Sequence, residues 1–267
     1  MRFSLFAAVG AACLLAGCAT TQTASAPEPP LATESFTALK PSKVRTLVVI
    51  VHDDLRNGAP VDYADFAQQA ATATQGAAVV VMRPGYGDAD GPVSPGVRPR
   101  DIGDGYGPGQ VQLLGQSVQA LRARYRHART ILVGHGGGAV LAANLAATRP
   151  LLVDAMLLVG CPCALPEWRR HMARRDRAFA EPVDSLDPLQ TVGGIAPTAR
   201  VGIVVGNEKA RVPARIARLY AEALALRGIA VDYRQVDGSD GELLKSNDVI
   251  QLLARLSNDD AQGDSRP

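Results

Sequence analysis

The sequence lacks a strong net charge of either sign. Its 28 lysines and arginines nearly balance 26 aspartates and glutamates, which leaves a formal net charge of +2. Because a chain with so small a net charge has little overall attraction for a polyanion, we expect no binding of nucleic acid. Aromatic residues are scarce at 4%, whereas apolar residues make up 47% of the 267 residues. The chain is therefore an ordinary globular one, long enough for one large α/β domain or two small ones.

The apolar run at the start of the chain is too short to cross a bilayer. Residues 3–15 are apolar and follow Arg2, an arrangement typical of a signal peptide. The run ends in Leu15-Ala16-Gly17-Cys18, which resembles a bacterial lipobox.

The lipobox resemblance implies that residues 1–17 form a lipoprotein signal peptide and that the Cys18 thiol carries acyl chains. These chains would make the membrane a partner of the protein, since each buried methylene contributes about 0.8 kcal/mol. Ala19 stands after the cysteine in place of an aspartate. By resemblance to sorting in Gram-negative bacteria, this favours the outer membrane, facing the periplasm. A plain secretory signal cleaved near Ala19 is the alternative.

Short apolar strands alternate with amphipathic helices between residues 43 and 256. We predict strands at 46–51, 77–82, 130–133, 155–159, 201–205 and 231–236, and helices at 63–74, 110–125, 137–147, 214–226 and 242–256. Strands without a polar face, separated by helices, indicate an α/β fold with a mostly parallel sheet covered on both faces. Residues 165–197 interrupt the alternation and are predicted to form a cap-like insertion.

The segments outside this domain are poor in large apolar side chains. Residues 18–42 are rich in Thr, Ala, Ser and Pro, which predicts a flexible tether. Residues 257–267 are polar and acidic, which predicts a disordered tail.

Cysteine is rare in the predicted mature domain. Only Cys161 and Cys163 remain once Cys13 leaves with the signal peptide and Cys18 is acylated. In an oxidising compartment a Cys-x-Cys pair can close a small, reducible disulfide. The pair follows a predicted strand, at the edge where ligands bind in open α/β sheets. A structural disulfide, two quiet thiols, a redox pair and a substitute nucleophile all remain open.

A glycine-rich turn follows the strand at 130–133. The sequence Gly134-His135-Gly136-Gly137-Gly138 joins that strand to an alanine-rich helix. This is the setting of a nucleophile elbow, the Gly-x-Ser-x-Gly turn that presents a serine above a sheet. At the centre of the turn stands Gly136, which has no side chain.

Four landmarks in order resemble the α/β-hydrolase superfamily over about residues 43–256. The first strand ends in His52-Asp53-Asp54, where the family typically has His-Gly. The second ends in Arg83-Pro84-Gly85-Tyr86-Gly87, similar to the family's Pro-Gly-x-Gly loop. The elbow is the third landmark, and residues 206–213 are similar to the family's Gly-x-x-Asp-x-x-Val-Pro turn. The resemblance implies the α/β-hydrolase fold.

The resemblance also assigns the three positions of a Ser-Asp-His triad. The nucleophile falls on Gly136, the acid on Lys209 and the base on Gly241. These residues supply no nucleophile, no acceptor that orients an imidazole, and no imidazole. The four histidines all precede the base position: His52, His127, His135 and His171. We therefore predict a protein without serine hydrolase activity, and no cofactor.

The predicted pocket and oxyanion loop contain five residues: His52, Asp53, Asp54, His135 and Gly137. Two carboxylates at the oxyanion position would oppose a developing negative charge. Together with Asp88 and Asp90 across the mouth, they either bind a divalent cation or form a solvated acidic rim, and their spacing specifies no metal geometry. His135 is either a displaced base or a side chain packed at the strand end.

The densest basic segment covers residues 168–177, with the only tryptophan and five arginines. One interpretation is contact with anionic lipid or glycan phosphate near the anchor. The other is a solvated cap helix whose aromatic side packs on the sheet.

Two main functional hypotheses follow. The first is a membrane-anchored pseudo-hydrolase of the cell envelope, a binding or scaffolding module with an unknown small ligand or envelope partner, whose pocket is enlarged by the missing side chains. The second is an ester or acyl hydrolase with a non-standard catalytic group, either a thiol of Cys161 or Cys163 or a water activated near Asp240 or His135. A thiol-redox protein is a third, weaker hypothesis.

Overall fold

The computed structural model describes residue 27 and residues 29–54, 63–87, 92–207, 209–238 and 240–258. Seven strands form one sheet: β1 (Thr33–Phe36), β2 (Thr46–Val51), β3 (Ala77–Val81), β4 (Arg129–His135), β5 (Ala155–Val159), β6 (Arg200–Val205) and β7 (Ala230–Gln235). Their order across the sheet is β1-β3-β2-β4-β5-β6-β7. The strands from β2 to β7 pair in parallel, and β1 pairs antiparallel with β3 at one edge.

Seven α-helices cover the sheet: α1 (Tyr63–Thr74), α2 (Pro108–Arg124), α3 (Gly137–Thr148), α4 (Leu165–Met172), α5 (Pro188–Thr191), α6 (Ala214–Leu226) and α7 (Asn247–Asn258). One buried apolar cluster joins side chains of α2, α3, α4 and α6 to one face of the sheet, and another joins α1 and α7 to the other face. The central strands are buried along their length because helices cover both faces. The predicted α/β class and its mostly parallel sheet are confirmed.

The predicted tether overlaps the fold, because the domain begins before residue 43. Leu31 is buried, and its N–H donates to Oγ of Ser117 (3.2 Å). The N–H of Ala32 donates to Oγ of Ser94 (2.9 Å), and β1 follows at once. The prediction of a flexible tether as far as residue 42 is therefore wrong, since backbone pairing orders this polar edge strand without an apolar pattern.

The C-terminal helix begins later and ends later than predicted. A 3₁₀ segment spans Asp240–Lys245, and α7 starts after Ser246, whose Oγ accepts the N–H of Asp248 (3.2 Å). This cap fixes the helix start. Because α7 continues to Asn258, the predicted tail at 257–267 overlaps its last turn. Residues 259–267, like the predicted signal peptide and Cys18, lie outside the described residues.

The predicted cap, residues 165–197, contains α4, α5 and two 3₁₀ segments, Arg177–Ala180 and Val192–Gly194. Trp168 of α4 is buried, and its ring meets that of Phe179 edge-on at 5.3 Å. The aromatic side of the segment is thus packed on the domain. Across the described parts of the chain, no helix combines the length and apolar character needed to cross a membrane.

Candidate functional site

The turn between β4 and α3 has a backbone conformation that residues other than glycine rarely adopt. Gly136 lies at φ 50° and ψ −115°, directly before the first residue of α3. The glycines on either side are required by close packing. A Cβ on Gly134 would lie 2.3 Å from Cα of Ala139, and one on Gly138 would lie 2.1 Å from the carbonyl oxygen of Val51. The predicted elbow is therefore present as a tight turn.

The carboxylate of Asp53 occupies the space above this turn. Its Oδ1 accepts the backbone N–H of Gly137 at 2.7 Å. An ideal Cβ placed on Gly136 would lie 1.8 Å from the same oxygen. The carboxylate therefore fills the position from which a nucleophilic side chain would project.

The same contact occupies an oxyanion donor. In nucleophile elbows the backbone N–H after the nucleophile helps to hold the negative oxygen of the intermediate. Here that donor, the N–H of Gly137, is bonded to a carboxylate belonging to the chain itself. A second negative charge at this place would meet repulsion instead of stabilisation. The expectation that missing side chains enlarge the pocket is wrong, because Asp53 takes up the space.

Two buried groups fix the backbone of Asp53. Its N–H donates to the hydroxyl of Tyr63 (2.8 Å), and its carbonyl oxygen lies 2.6 Å from Nδ1 of His52. Since the N–H of Arg83 donates to Nε2 of His52 (2.9 Å), the proton of the neutral ring is on Nδ1 and is donated to Asp53. Burial, reinforced by the charge of Arg83, lowers the pKa of His52 to about 3. The uncharged ring of His52 thus joins the loop after β2 to the loop after β3 through hydrogen bonds to Asp53 and Arg83.

His135 lies behind this network. It is buried, and its Nδ1 is 2.8 Å from the hydroxyl of Tyr63. Burial raises the pKa of Tyr63 well above its ordinary value, so this hydroxyl stays protonated. The structure therefore connects His135 to Asp53 through Tyr63.

A buried ion pair lies beside Asp53. Nη1 of Arg83 is 2.7 Å from Oδ1 of Asp54, and both side chains are at most 2% exposed. The Tyr106 hydroxyl donates to Oδ2 of the same carboxylate at 2.8 Å. Burial alone would raise the pKa of Asp54, but the charge and hydrogen bond of Arg83, together with Arg211 and Tyr106, hold the pKa below its usual value. Asp54 is therefore an ionised partner in the interior.

Aromatic rings enclose the guanidinium of Arg83. Its Cζ lies 4.9 Å from the ring centre of Tyr86 and 5.4 Å from that of Tyr106. Burial works against the charge on Arg83, but Asp54 compensates and the pKa of the guanidinium lies above its usual value. The rings and the carboxylate together stabilise a fully buried cation.

Arg211 links both carboxylates to the cap. Its guanidinium nitrogens lie 3.7 Å from Oδ2 of Asp53 and 3.8 Å from Oδ2 of Asp54. The guanidinium also lies 5.3 Å from the ring of Trp168, whose Nε1 donates to the carbonyl oxygen of Arg211 (3.1 Å). We call Asp53, Asp54, Arg83 and Arg211 the charged cluster.

A shallow cleft remains next to the charged cluster. Its empty volume is about 240 Å³, counted with its opening to solvent. The part of this volume that is enclosed by protein is far smaller than the roughly 300–1,000 Å³ of typical ligand pockets. Ten residues line it: Asp53, Asp54, Tyr106, Gly136, Gly137, Gly160, Pro162, Trp168, Arg211 and Val212. A ligand of ordinary size needs a rearrangement of these side chains.

The other two predicted triad positions do not line this cleft. Lys209 is exposed in the turn after β6, and its N–H donates to Oδ1 of Asn207 (2.9 Å). Gly241 is exposed in the 3₁₀ segment after β7, where an added Cβ would meet no atom within 4 Å. Among the described residues, the structure brings only Gly136 of the three into the cleft.

Cys161 and Cys163 form a disulfide, and both residues are buried. Because neither sulfur is a thiol in this state, the hypothesis of a substitute thiol nucleophile is wrong for this structure. The disulfide encloses Pro162, which lines the cleft. Its place fits a structural role at the end of β5.

The alternative of a solvated acidic rim is wrong for His52 and Asp54. His52 and Asp54 are buried, and Asp54 is neutralised by Arg83. Among the described residues, no three His, Cys, Asp or Glu side chains lie grouped so that they could hold a metal ion. Asp88 and Asp90, which were predicted across the mouth, lie outside the described residues.

Comparison with known proteins gives matches in structure only. No family model matches the chain, and no curated protein sequence matches it. Among solved structures, the hyperthermophilic esterase from Pyrobaculum calidifontis aligns with a TM-score of 0.60 at 14% identity, over 87% of this chain and 87% of that one. Est1E from Butyrivibrio proteoclasticus, solved with ferulic acid, aligns with 0.58 at 12% identity, over 87% and 94%. A lipase/esterase from Lactobacillus plantarum aligns with 0.57 at 16% identity, over 86% and 92%.

The chain has the α/β-hydrolase fold. This confirms the fold expected from the four landmarks, and three of those landmarks supply the charged cluster. Asp53 and Asp54 come from the first, Arg83 from the second and Arg211 from the fourth. In this α/β-hydrolase-fold protein these loops assemble an ion-pair network.

Sequence reasoning missed four residues of this site: Tyr63, Arg83, Tyr106 and Arg211. Arg83 and Arg211 stand inside quoted motifs, and two cations facing two consecutive aspartates were the available signal. Tyr63 and Tyr106 lie in no motif, so only their contacts with Asp53 and Asp54 identify them.

Proposed function

We propose that this α/β-hydrolase-fold protein has lost serine hydrolysis and acts as a binding or scaffolding module of the bacterial cell envelope. The observation that carries the proposal is the bond from the N–H of Gly137 to the carboxylate of Asp53, above an elbow without a side chain. The Asp53 carboxylate thus occupies the Gly137 N–H, the donor that the negative oxygen of a tetrahedral intermediate would need.

The test is hydrolysis of short-chain p-nitrophenyl esters by the purified protein, together with labelling by a fluorophosphonate. An active serine esterase of the same fold serves as the positive control. We expect no turnover above that of buffer and no label. A label mapped to a residue of the cleft would overturn the proposal.

A second candidate function is ester or acyl hydrolysis by a non-standard group. The esterases and lipases among the structural neighbours favour hydrolysis as a chemistry of this fold, and Asp53 stands where a nucleophile would project. In this case the Asp53 carboxylate takes a proton from a water, whose oxygen attacks the ester carbonyl, and the alcohol leaves with a proton. The difficulty is that Asp53 itself occupies the N–H of Gly137.

Comparison of the wild type with Asp53→Asn separates the two candidates. Asp53-dependent hydrolysis predicts measurable ester turnover that falls by roughly 100-fold or more in the variant, within the range of general base catalysis. The first proposal predicts the same background rate for both proteins. Turnover that is present and insensitive to Asp53→Asn would contradict both.

The envelope location rests on the lipobox resemblance of Leu15 to Cys18. We propose that Cys18 is acylated and that the domain is held at the outer membrane, facing the periplasm. Expression in a Gram-negative host with labelled palmitate should label the wild type and leave Cys18→Ser unlabelled. Equal labelling, or none in either protein, would contradict the anchor.

A further inference from the structure

Three arginines of the cap project into solvent after α4. Arg174, Arg175 and Arg177 are all exposed. None of their guanidinium groups forms a hydrogen bond or ion pair in the part of the chain that the structure describes, although the backbone N–H of Arg175 donates to the carbonyl oxygen of Met172 (2.9 Å). We call these three residues the arginine face.

Three acidic residues of the same segment are engaged with other groups. Glu167 pairs with Arg170, and Glu181 pairs with Arg100. The carboxylate of Asp176 accepts the N–H of Ala178 (3.0 Å) and so caps the 3₁₀ segment. Because Asp176 keeps its negative charge, residues 174–177 together carry a net charge of +2.

The cap is fastened to the edge of the sheet at which the parallel strands end. α4 begins six residues after the last residue of β5, and Trp168 lines the cleft at the end of β4. Nε of Arg169 donates to the carbonyl oxygen of Ile102 (3.0 Å), in the connection that leaves the end of β3. These contacts hold the cap at the carboxyl edge of the sheet.

The N-terminal segment enters the domain at the same edge. β1 runs antiparallel to β3, and its first residue, Thr33, pairs with Val81, the last residue of β3. Chain preceding Leu31 therefore leaves from the carboxyl edge. Only three strand spacings separate β3 from β5, which is about 14 Å.

The chain between the predicted anchor and the domain sets how far this edge stands from a membrane. From Cys18 to Leu31 there are 13 steps along the chain, which reach roughly 45 Å at full extension. A domain tethered at its carboxyl edge within this distance can present that edge, and the arginine face with it, to the bilayer.

We propose that the arginine face binds the anionic headgroups of the membrane to which the chain is anchored. Three exposed guanidinium groups are complementary to phosphate-bearing lipids, and near-surface arginines each add measurably to such attraction. The interaction orients the cleft and the elbow toward the bilayer. The proposal rests on the proposed anchoring at Cys18, but its test does not use the acyl chains.

The experiment uses the full chain carrying Cys18→Ser, so that no lipid is attached. Binding is measured by co-sedimentation with vesicles of phosphatidylglycerol and phosphatidylcholine, and with vesicles of phosphatidylcholine alone. Arg2 and the apolar residues 3–15 are present in every protein compared, so their contribution is the same for the decisive variant and its control. We expect tighter binding to the anionic vesicles, weakened by added salt.

The decisive variant is Arg174→Gln/Arg175→Gln/Arg177→Gln, which should weaken binding to anionic vesicles by roughly 100-fold. The matched control is Arg45→Gln/Arg126→Gln/Arg227→Gln, which removes the same charge from exposed arginines at the opposite edge of the sheet. The control should leave binding unchanged.

Three results would overturn the proposal: equal effects of the two triple variants, equal binding to both kinds of vesicle, or loss of binding on adding millimolar inorganic phosphate at constant ionic strength. The last would show recognition of a phosphate ion instead of a lipid surface. Palmitate labelling of the chain with native Cys18 tests the anchor separately, so failure of one is distinguishable from failure of the other.

Discussion

Asp53 and Gly136 compete for the space of one side chain. An ideal Cβ on Gly136 would lie 1.8 Å from Oδ1 and 2.1 Å from Cγ of Asp53. Both distances are far inside van der Waals contact, so a side chain at position 136 and the carboxylate in its present place are mutually exclusive. The two residues form one structural unit at the elbow.

Substitution of Gly136→Ser should therefore destabilise the protein by about 1–3 kcal/mol, the usual range for overpacking. Asp53→Gly should recover much of this loss, because it removes the clashing carboxylate. Urea unfolding of the two single variants and the double variant gives the coupling energy directly. Gly109→Ser is the control, since a Cβ there would meet no atom within 4 Å. Additive effects of the two substitutions would show that Asp53 and Gly136 do not compete.

Restoration of a serine hydrolase requires removal of Asp53. The variant Gly136→Ser/Lys209→Asp/Gly241→His restores the three triad positions that the family resemblance assigns, but it keeps the Asp53 carboxylate, which competes with the new side chain for space and with an oxyanion for the N–H of Gly137. We expect fluorophosphonate labelling of this triple variant to stay at background and to appear only when Asp53→Gly is added. Labelling of the triple variant with Asp53 in place would show that the carboxylate moves aside readily.

Stability should fall as pH falls because His52 is buried without charge. Its pKa drops from 6.5 to about 3 in the folded protein, so between these values the unfolded chain binds a proton that the folded chain does not. The free energy of unfolding therefore decreases as pH is lowered from 6.5 to 3, by up to about 1.4 kcal/mol per pH unit from this group.

The variant His52→Gln isolates this contribution. Its own stability is expected to be lower at neutral pH, since it disturbs the bonds to Asp53 and Arg83. The measurement that matters is the slope of unfolding free energy against pH between 6.5 and 4, which should be shallower than in the wild type. Parallel slopes would mean that His52 takes up a proton in the folded state.

Loss of one partner of the buried Arg83–Asp54 pair should lower the free energy of unfolding. Asp54→Ala leaves the guanidinium of Arg83 buried without its carboxylate, and we expect a loss of about 3–5 kcal/mol in unfolding free energy. The double variant Arg83→Met/Asp54→Leu should be more stable than Asp54→Ala. Arg100→Gln, which breaks the pairs of the exposed Arg100 side chain with Asp104 and Glu181, is the control and should change stability little. A cost for Asp54→Ala no larger than that of the control would contradict the ionised pair.

Much of the fold was predictable because its signals are local. Uninterrupted apolar runs indicated β2 to β6, and the helix predicted at 63–74 coincides with α1. The polar strand β1 was missed because nothing in Thr33–Phe36 has an apolar pattern. It forms through hydrogen bonds to the open edge of β3, which no local sequence feature announces.

The elbow was predictable and the charged cluster was not. A strand, a run of glycines and a helix specify the turn at Gly136 within a few residues. The direction of the Asp53 side chain depends instead on donors far away in the chain, Gly137 and Arg211. Sequence reasoning identified the charge at the oxyanion loop but not its contact with the elbow, since that contact joins residues 84 positions apart.

The antiparallel entry of β1 has a mechanical consequence. Because β1 runs antiparallel to β3 with Thr33 at the carboxyl edge, a force directed outward from that edge acts along the axis of β1. Force in this direction loads the pairs from Thr33↔Val81 to Phe36↔Ala78 in shear, so that their hydrogen bonds resist together and do not open one after another. A short polar strand at the edge of the sheet can thus bear a mechanical load applied through the N-terminal segment.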